Sequence, residues 1–170
     1  MSRENITMKG NPLTLLGKEI KVGDKAPEFT ALTKEMKLFG LKDMDGKNKV
    51  ISIMPSIDTG VCSLQGIRFN EEAKDLTSTI TVTISMDLPF ALNRYCENKG
   101  IDNAITLSDH RDASFGMTYG FLVEESRLLA RGVVAIDKEN IVRYVDYVKE
   151  NSEQPDYEKA LKVIKDLDKQ

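Results

Sequence analysis

The apolar positions along the chain follow two rhythms. Lys49-Val50-Ile51-Ser52-Ile53-Met54 is a nearly unbroken apolar, β-branched run and predicts a buried strand. Just beyond it the rhythm changes: Cys62, Gly66, Phe69, Ala73 and Leu76 are spaced by four, three, four and three. That spacing predicts a helix from Cys62 to about Leu76 with one inward stripe. Ile80 to Met86 alternates apolar and polar residues, a strand pattern. Asp87-Leu88-Pro89 then opens a second helix, since proline is tolerated in a first turn. It runs to about Asn98, with Gly100 as its C-terminal cap. Leu88, Leu92 and Cys96 lie four apart on its apolar side. A last helix starts near Pro155-Asp156 and carries Tyr157, Leu161, Ile164 and Leu167 at helical spacing.

The remaining elements are shorter. Ile6 to Lys9 and Leu13 to Leu16 flank Gly10-Asn11-Pro12, which predicts an N-terminal hairpin within residues 1–22. Phe29 to Thr33 and Met36 to Phe39 form a second extended pair, and Leu41 to Gly46 a turn or short helix. Ala104 to Leu107 reads as a strand, Arg111 to Tyr119 as a helix and Leu128 to Ile136 as a long strand. Asp137 to Asn140 turns the chain into a partner strand, Ile141 to Val148. From Val50 on, strands and helices alternate, which predicts a largely parallel sheet flanked by helices, with an antiparallel strand from the last hairpin. This fits an α/β, thioredoxin-like fold: a mixed central sheet with an N-terminal hairpin added. No repeat or linker divides the chain, so residues 1–170 are read as one domain.

Composition narrows the function. The chain is 41% hydrophobic and 30% charged, with a net charge of −3, which gives no reason to expect nucleic acid or an anionic membrane as a partner. No apolar run is long enough to span a bilayer, and the polar start Met1-Ser2-Arg3-Glu4-Asn5 lacks a secretory core. A cytoplasmic location is the expectation. Two cysteines in a reducing compartment point to chemistry more than to a structural disulfide.

Cys62 sits where a strand hands over to a helix. The first turn of a helix has unpaired N–H groups and a positive dipole end, and both favour a thiolate over a thiol. The stripe through Cys62 turns it inward, and Gly66 leaves room one turn away. Pro55 stiffens the strand exit, and Thr59 is placed to cap the helix or to point its hydroxyl at the sulfur. The competing reading of Cys62 is a small buried hydrophobe.

Cys96 admits two readings as well, a packing residue or a resolving thiol. A sulfenic acid on Cys62 would condense with a thiol to a disulfide. Bridging needs Cα atoms within about 7 Å, which two helices at rest are not expected to offer, so both would unwind locally. The residue three after Cys62 is Gln65, so there is no C-x-x-C pair, and with one histidine, His110, no zinc pattern arises. No metal or cofactor is expected. His110 reads as a solvated turn residue. Asp58, Asp87 and Asp109 follow strands and would suit a phospho-accepting receiver, though no phosphate-cradling glycine motif accompanies them.

Pro55-x-x-x-Thr59-x-x-Cys62 is similar to the active-site signature of the peroxiredoxins. The longer run PSIDTGVC, then Arg68-Phe69-Asn70, DLPFA and Arg94-Tyr95-Cys96, resembles their atypical two-cysteine, thiol peroxidase branch. The likeness extends from the N-terminal hairpin to Pro155-Asp156-Tyr157-Glu158. Gly66-Ile67 departs from it, where the family often has a hydroxyl or small residue and then a basic one. The resemblance implies reduction of hydrogen peroxide and organic hydroperoxides, with Cys62 as peroxidatic thiolate and Cys96 as resolving thiol in one intrachain disulfide. It implies that Thr59 bonds the thiolate and the peroxide, that Pro55 shields the pocket, and that Arg131 supplies the strand arginine of the site. It also implies thioredoxin as reductant and a homodimer. Apart from the likeness, Arg131 reads as a surface ion-pair residue, with Arg68, Arg94, Arg111 and Arg143 as rivals. The other function classes are a thiol–disulfide exchange protein and a redox sensor.

Overall fold

The computed structural model describes residues 2–99 and 105–170, and within those the side chains of all but 61–64, 70, 73 and 99. The hairpin at the start is longer than its apolar residues suggest: β1 (Ser2–Met8) and β2 (Asn11–Leu16). β3 (Thr30–Thr33) and β4 (Leu38–Gly40) form the second antiparallel pair, and a 3-10 turn covers Leu41–Met44. Then come β5 (Asn48–Ile53), α1 (Gly60–Ala73), β6 (Thr79–Ser85), α2 (Pro89–Lys99) and β7 (Ile105–Ser108). After these lie α3 (Ser114–Tyr119), β8 (Leu122–Val123), β9 (Gly132–Ile136), β10 (Val142–Tyr147) and α4 (Tyr157–Asp168). The Gly100 cap and the start of the strand at Ala104 lie outside the described residues.

Seven strands make the main sheet in the order β10-β9-β5-β6-β7-β3-β4. Within it the neighbouring pairs β5–β6 and β6–β7 are parallel, whereas β9 lies antiparallel to β5, and β3 to β7. The sheet is mixed, as expected, with fewer parallel pairs than the alternation alone suggests. The reason lies at residues 120–131. The chain leaves α3, forms β8 and returns through a tight turn, so β9 enters from the end opposite to β5.

β8 is a two-residue strand that the apolar pattern does not announce. It pairs with β2, so the N-terminal hairpin becomes a three-stranded sheet, β1-β2-β8. Leu128–Arg131 precede the strand instead of belonging to it, and α3 begins at Ser114, later than Arg111. Asp109 explains the late start. Its carboxylate accepts from the N–H groups of Phe115 (3.0 Å) and Gly116 (2.8 Å), so the helix can begin only where those donors are supplied.

The central strands bury both faces. Val50, Val133 and Ala135 pack with Phe69 of α1 and Ala160, Leu161 and Ile164 of α4. Ile51, Ile53, Val134 and Ile136 point the other way, into the larger core with Ile6, Leu15, Phe115 and Phe121. A strand covered on both faces has no use for polar alternation, hence the continuous apolar run at Val50. Met54, Ile57, Leu92, Tyr95 and Cys96 form a third cluster, between the end of β5 and α2.

Candidate active site

The turn between β5 and α1 carries Pro55 to Thr59. Asp87, at the end of β6, holds it: the carboxylate accepts from Ser56 Oγ (2.7 Å), the Ile57 N–H (2.9 Å) and Ser85 Oγ (2.6 Å). Pro55 and Ile57 are buried, whereas Asp58, Thr59 and Gly60 are exposed. Thr59 immediately precedes α1, and Cys62 is the third residue of that helix, one of the positions whose N–H groups lack a partner within the helix. The expectation that the Cys62 side chain faces inward lies outside the described residues. Two others of its stripe, Gly66 and Phe69, are buried as expected. Leu76 falls past the helix end and packs, half-buried, on the same core.

One turn beyond Cys62 the helix makes an unusual contact. Gln65 is fully buried. Its amide nitrogen donates to Ser52 Oγ (2.7 Å) and to the carbonyls of Ile53 (3.2 Å) and Gly132 (3.3 Å). Its amide oxygen accepts from Arg131 Nη1 at 3.0 Å. Arg131 is 3% exposed, which rules out a surface ion-pair residue. It stands immediately before β9, not within the strand. Its Nε donates to the Asn151 carbonyl (3.0 Å), and its backbone N–H donates to Asn151 Oδ1 (2.7 Å). Among the described residues no carboxylate forms an ion pair with Arg131. The guanidinium is therefore a buried cation held by neutral amides, one of them on Gln65, which follows Cys62 by three residues on α1.

The rival arginines are engaged or exposed elsewhere. Arg68 pairs with Glu158 and lies over the Tyr157 ring, Arg111 pairs with Asp112, and Arg143 with Asp137. Arg94 is exposed on α2. The sequence pattern does not single out Gln65, Ser52 and Asn151 as site residues, and it offers Asp87 only as a phospho-acceptor, not as the residue that holds the turn. A polar residue one turn from Cys62, and a serine inside an otherwise apolar strand, are the signals for the first two. Asn151 follows β10 by four residues in a charged stretch and has no such signal.

Cys96 lies on α2, 2% exposed, with a free thiol 3.4 Å from Thr106 Oγ1 of β7. α2 packs beside α1, with Tyr95 against Gly66. A cleft of about 330 Å³ opens between the first turn of α1 and α2, lined by Ile57, Asp58, Thr59, Gly60, Ala91, Arg94, Tyr95 and Asn98. His110 is bonded to Ser108 (Nδ1 to Oγ, 2.8 Å) in the loop after β7. Of the three aspartates, Asp87 and Asp109 are committed to backbone and hydroxyl donors, and only Asp58 is exposed. No metal-binding cluster occurs among the described residues, nor does any of their helices have the length and apolarity to cross a membrane.

Comparison with known proteins shows the family of the chain. Residues 21–161 match the model of the Redoxin family. A thiol peroxidase of Halalkalibacterium halodurans is 54% identical over 95% of this chain and 97% of its own. A thiol peroxidase of Bacillus subtilis is 52% identical, with the same coverage. The crystal structure of a peroxiredoxin-like protein from Aquifex aeolicus, 38% identical, superposes with a TM-score of 0.91 over 98% of each chain. A thiol peroxidase from Chromobacterium violaceum, 20% identical, shares the fold with a TM-score of 0.87 over 98% of each chain.

Proposed function

This chain belongs to the redoxin family and is a peroxiredoxin-type peroxidase, and from that premise we propose that Cys62 is its peroxidatic residue and Cys96 its resolving one. The observation that carries the reading is the buried Arg131. A guanidinium removed from water is costly unless an anion or strong acceptors face it. Neutral amides on Gln65 and Asn151 satisfy its geometry without cancelling its charge. A thiolate at the third residue of α1 supplies the missing negative charge, and the N–H groups of the first turn add to its stabilisation.

The steps follow. The Cys62 thiolate attacks the nearer peroxide oxygen, the O–O bond breaks, and hydroxide or alkoxide leaves and takes up a proton. Arg131 and Thr59 are the donors for that developing charge. Pro55, buried at the strand exit, keeps water from the sulfur. Cys62 is now a sulfenic acid. The Cys96 thiol displaces its oxygen as water and forms an intrachain disulfide. An external dithiol protein, thioredoxin by the resemblance, reduces that disulfide. Pairing of two copies into a homodimer and a cytoplasmic location belong to the same reading. Cys96 stands against Thr106, and local unwinding of α1 and α2 to bring the two cysteines together belongs to the same proposal.

The test is to add one equivalent of hydrogen peroxide to reduced protein and weigh it. The reading predicts loss of two hydrogen atoms, abolished by Cys62→Ser and by Cys96→Ser. Turnover with thioredoxin and its reductase separates this enzyme from a redox sensor that passes its disulfide to one partner. A mass unchanged by peroxide would overturn the assignment of both cysteines.

A further inference from the structure

Gly66 and Tyr95 fit one another. Gly66 is buried in α1, four residues after Cys62. A Cβ there would stand 3.0 Å from the Tyr95 hydroxyl oxygen and 3.8 Å from Met54 Cε. The hydroxyl thus occupies the space a side chain at position 66 would need. Tyr95 is 8% exposed and belongs to the cluster of Met54, Ile57, Leu92 and Cys96.

Tyr95 and Cys96 are successive residues of one helix, so their side chains leave it about 100° apart. The contacts reflect this: Tyr95 reaches α1 at Gly66, while Cys96 reaches β7 at Thr106. Cys62 lies on α1, one turn before Gly66. For Cys96 to meet Cys62, α2 must turn or unwind until Cys96 takes the place that faces α1. Tyr95 holds that place.

We propose that Tyr95, seated in the Gly66 notch, is a latch that holds Cys96 turned toward β7 and sets the rate at which the Cys62 sulfenic acid is captured. The proposal rests on the assignment of Cys62 and Cys96 made above. Tyr95 is a positioning residue: it acts on the reaction through the orientation of Cys96. Its contact with Gly66 is present before resolution and broken during it, so removing the contact speeds that step. The cleft beside it gives α2 room to move. The chemistry is balanced by the peroxidase reaction itself: sulfenic acid plus thiol gives disulfide plus water. A second peroxide molecule competes by oxidising the waiting sulfenic acid to a sulfinic acid, releasing water or alcohol. The latch therefore fixes how much peroxide the enzyme withstands as well as how fast it resolves.

Rapid mixing with hydrogen peroxide separates the two steps, the first rising with peroxide concentration and the second independent of it. Tyr95→Phe keeps the ring and removes the hydroxyl; Tyr95→Leu removes the contact with Gly66 altogether. Resolution is expected to accelerate in both, by about fivefold or more in Tyr95→Leu. The peroxide-dependent step should stay within about twofold, and the peroxide concentration that inactivates half the enzyme should rise in parallel. Resolution unchanged or slowed in Tyr95→Phe, with the fold intact by circular dichroism, would overturn the latch. If wild-type protein forms no disulfide with peroxide, the assignment of the two cysteines fails instead, and the two failures are distinct.

Discussion

At the scale of single residues the site is a problem in charge. Arg131 is buried, and its side chain is held by the Gln65 amide oxygen and the Asn151 carbonyl. A carboxylate in place of Gln65 would pair with the guanidinium and take its field away from the sulfur. Gln65→Glu is therefore expected to raise the Cys62 pKa by about one unit and to slow peroxide attack roughly tenfold, read by alkylation rate against pH and by rapid mixing. Arg131→Met removes the cation itself and leaves Gln65 and Asn151 short of a donor. It should slow attack further and cost about 1–3 kcal/mol of stability in urea titration. Asp109 provides a control away from the site. Burial pushes its pKa up to about 6, against the pull of the two amides it caps. A carboxyl with a raised folded pKa stabilises the fold below its unfolded value and loses that contribution as pH rises through the folded one. The melting temperature should therefore fall between about pH 4 and pH 6, and Asp109→Asn should flatten that slope.

At the scale of elements the legible and the hidden divide by distance along the chain. The helix after Cys62, the strands at Val50 and Ile80 and the hairpin after Ile136 could be read because each rests on local periodicity or turn chemistry. The position of Cys62 in the first turn of a helix follows from the same signals. The short strand Leu122–Val123 could not be read, since its partner, β2, is more than a hundred residues away. Nor could the direction of β9, which depends on how the chain returns after α3. Within the site, the motif residues Pro55, Thr59 and Cys62 stand together in sequence. Arg131 meets Gln65 only across the sheet, and Asn151 supports Arg131 from beyond β10. Asp87 shows the same limit. Three donors from the turn and from β6 converge on it, so Asp87→Ala should loosen the turn that presents Thr59 and Cys62. The expected result is a loss of about 1–3 kcal/mol in stability and at least a tenfold loss in peroxide reactivity, measured on the same preparation.

At the scale of the whole molecule the N-terminal hairpin is part of the body. Ile6 and Leu15 are buried in the larger core, and Arg3 donates to the carbonyls of Gly17 (3.1 Å) and Gly120 (2.8 Å). Gly120 has φ +74°, and a Cβ there would lie 2.6 Å from the Lys18 carbonyl oxygen, so the end of α3 closes on the chain that follows the hairpin. Removing residues 1–17 should strip cover from Phe115 and Phe121 and leave a chain that melts far lower or aggregates, as scanning calorimetry would show. In the proposed mechanism the sheet, the two helices and the buried cation together serve one end, a Cys62 that reacts as an anion at neutral pH. The measurement that tests this most directly is the pH dependence of Cys62 alkylation in Cys96→Ser protein. The account predicts an inflection well below the value of about 8.5 for an ordinary thiol, shifted upward by Gln65→Glu. An inflection at or above that value, with hydrogen peroxide consumed no faster than by free glutathione, would contradict it.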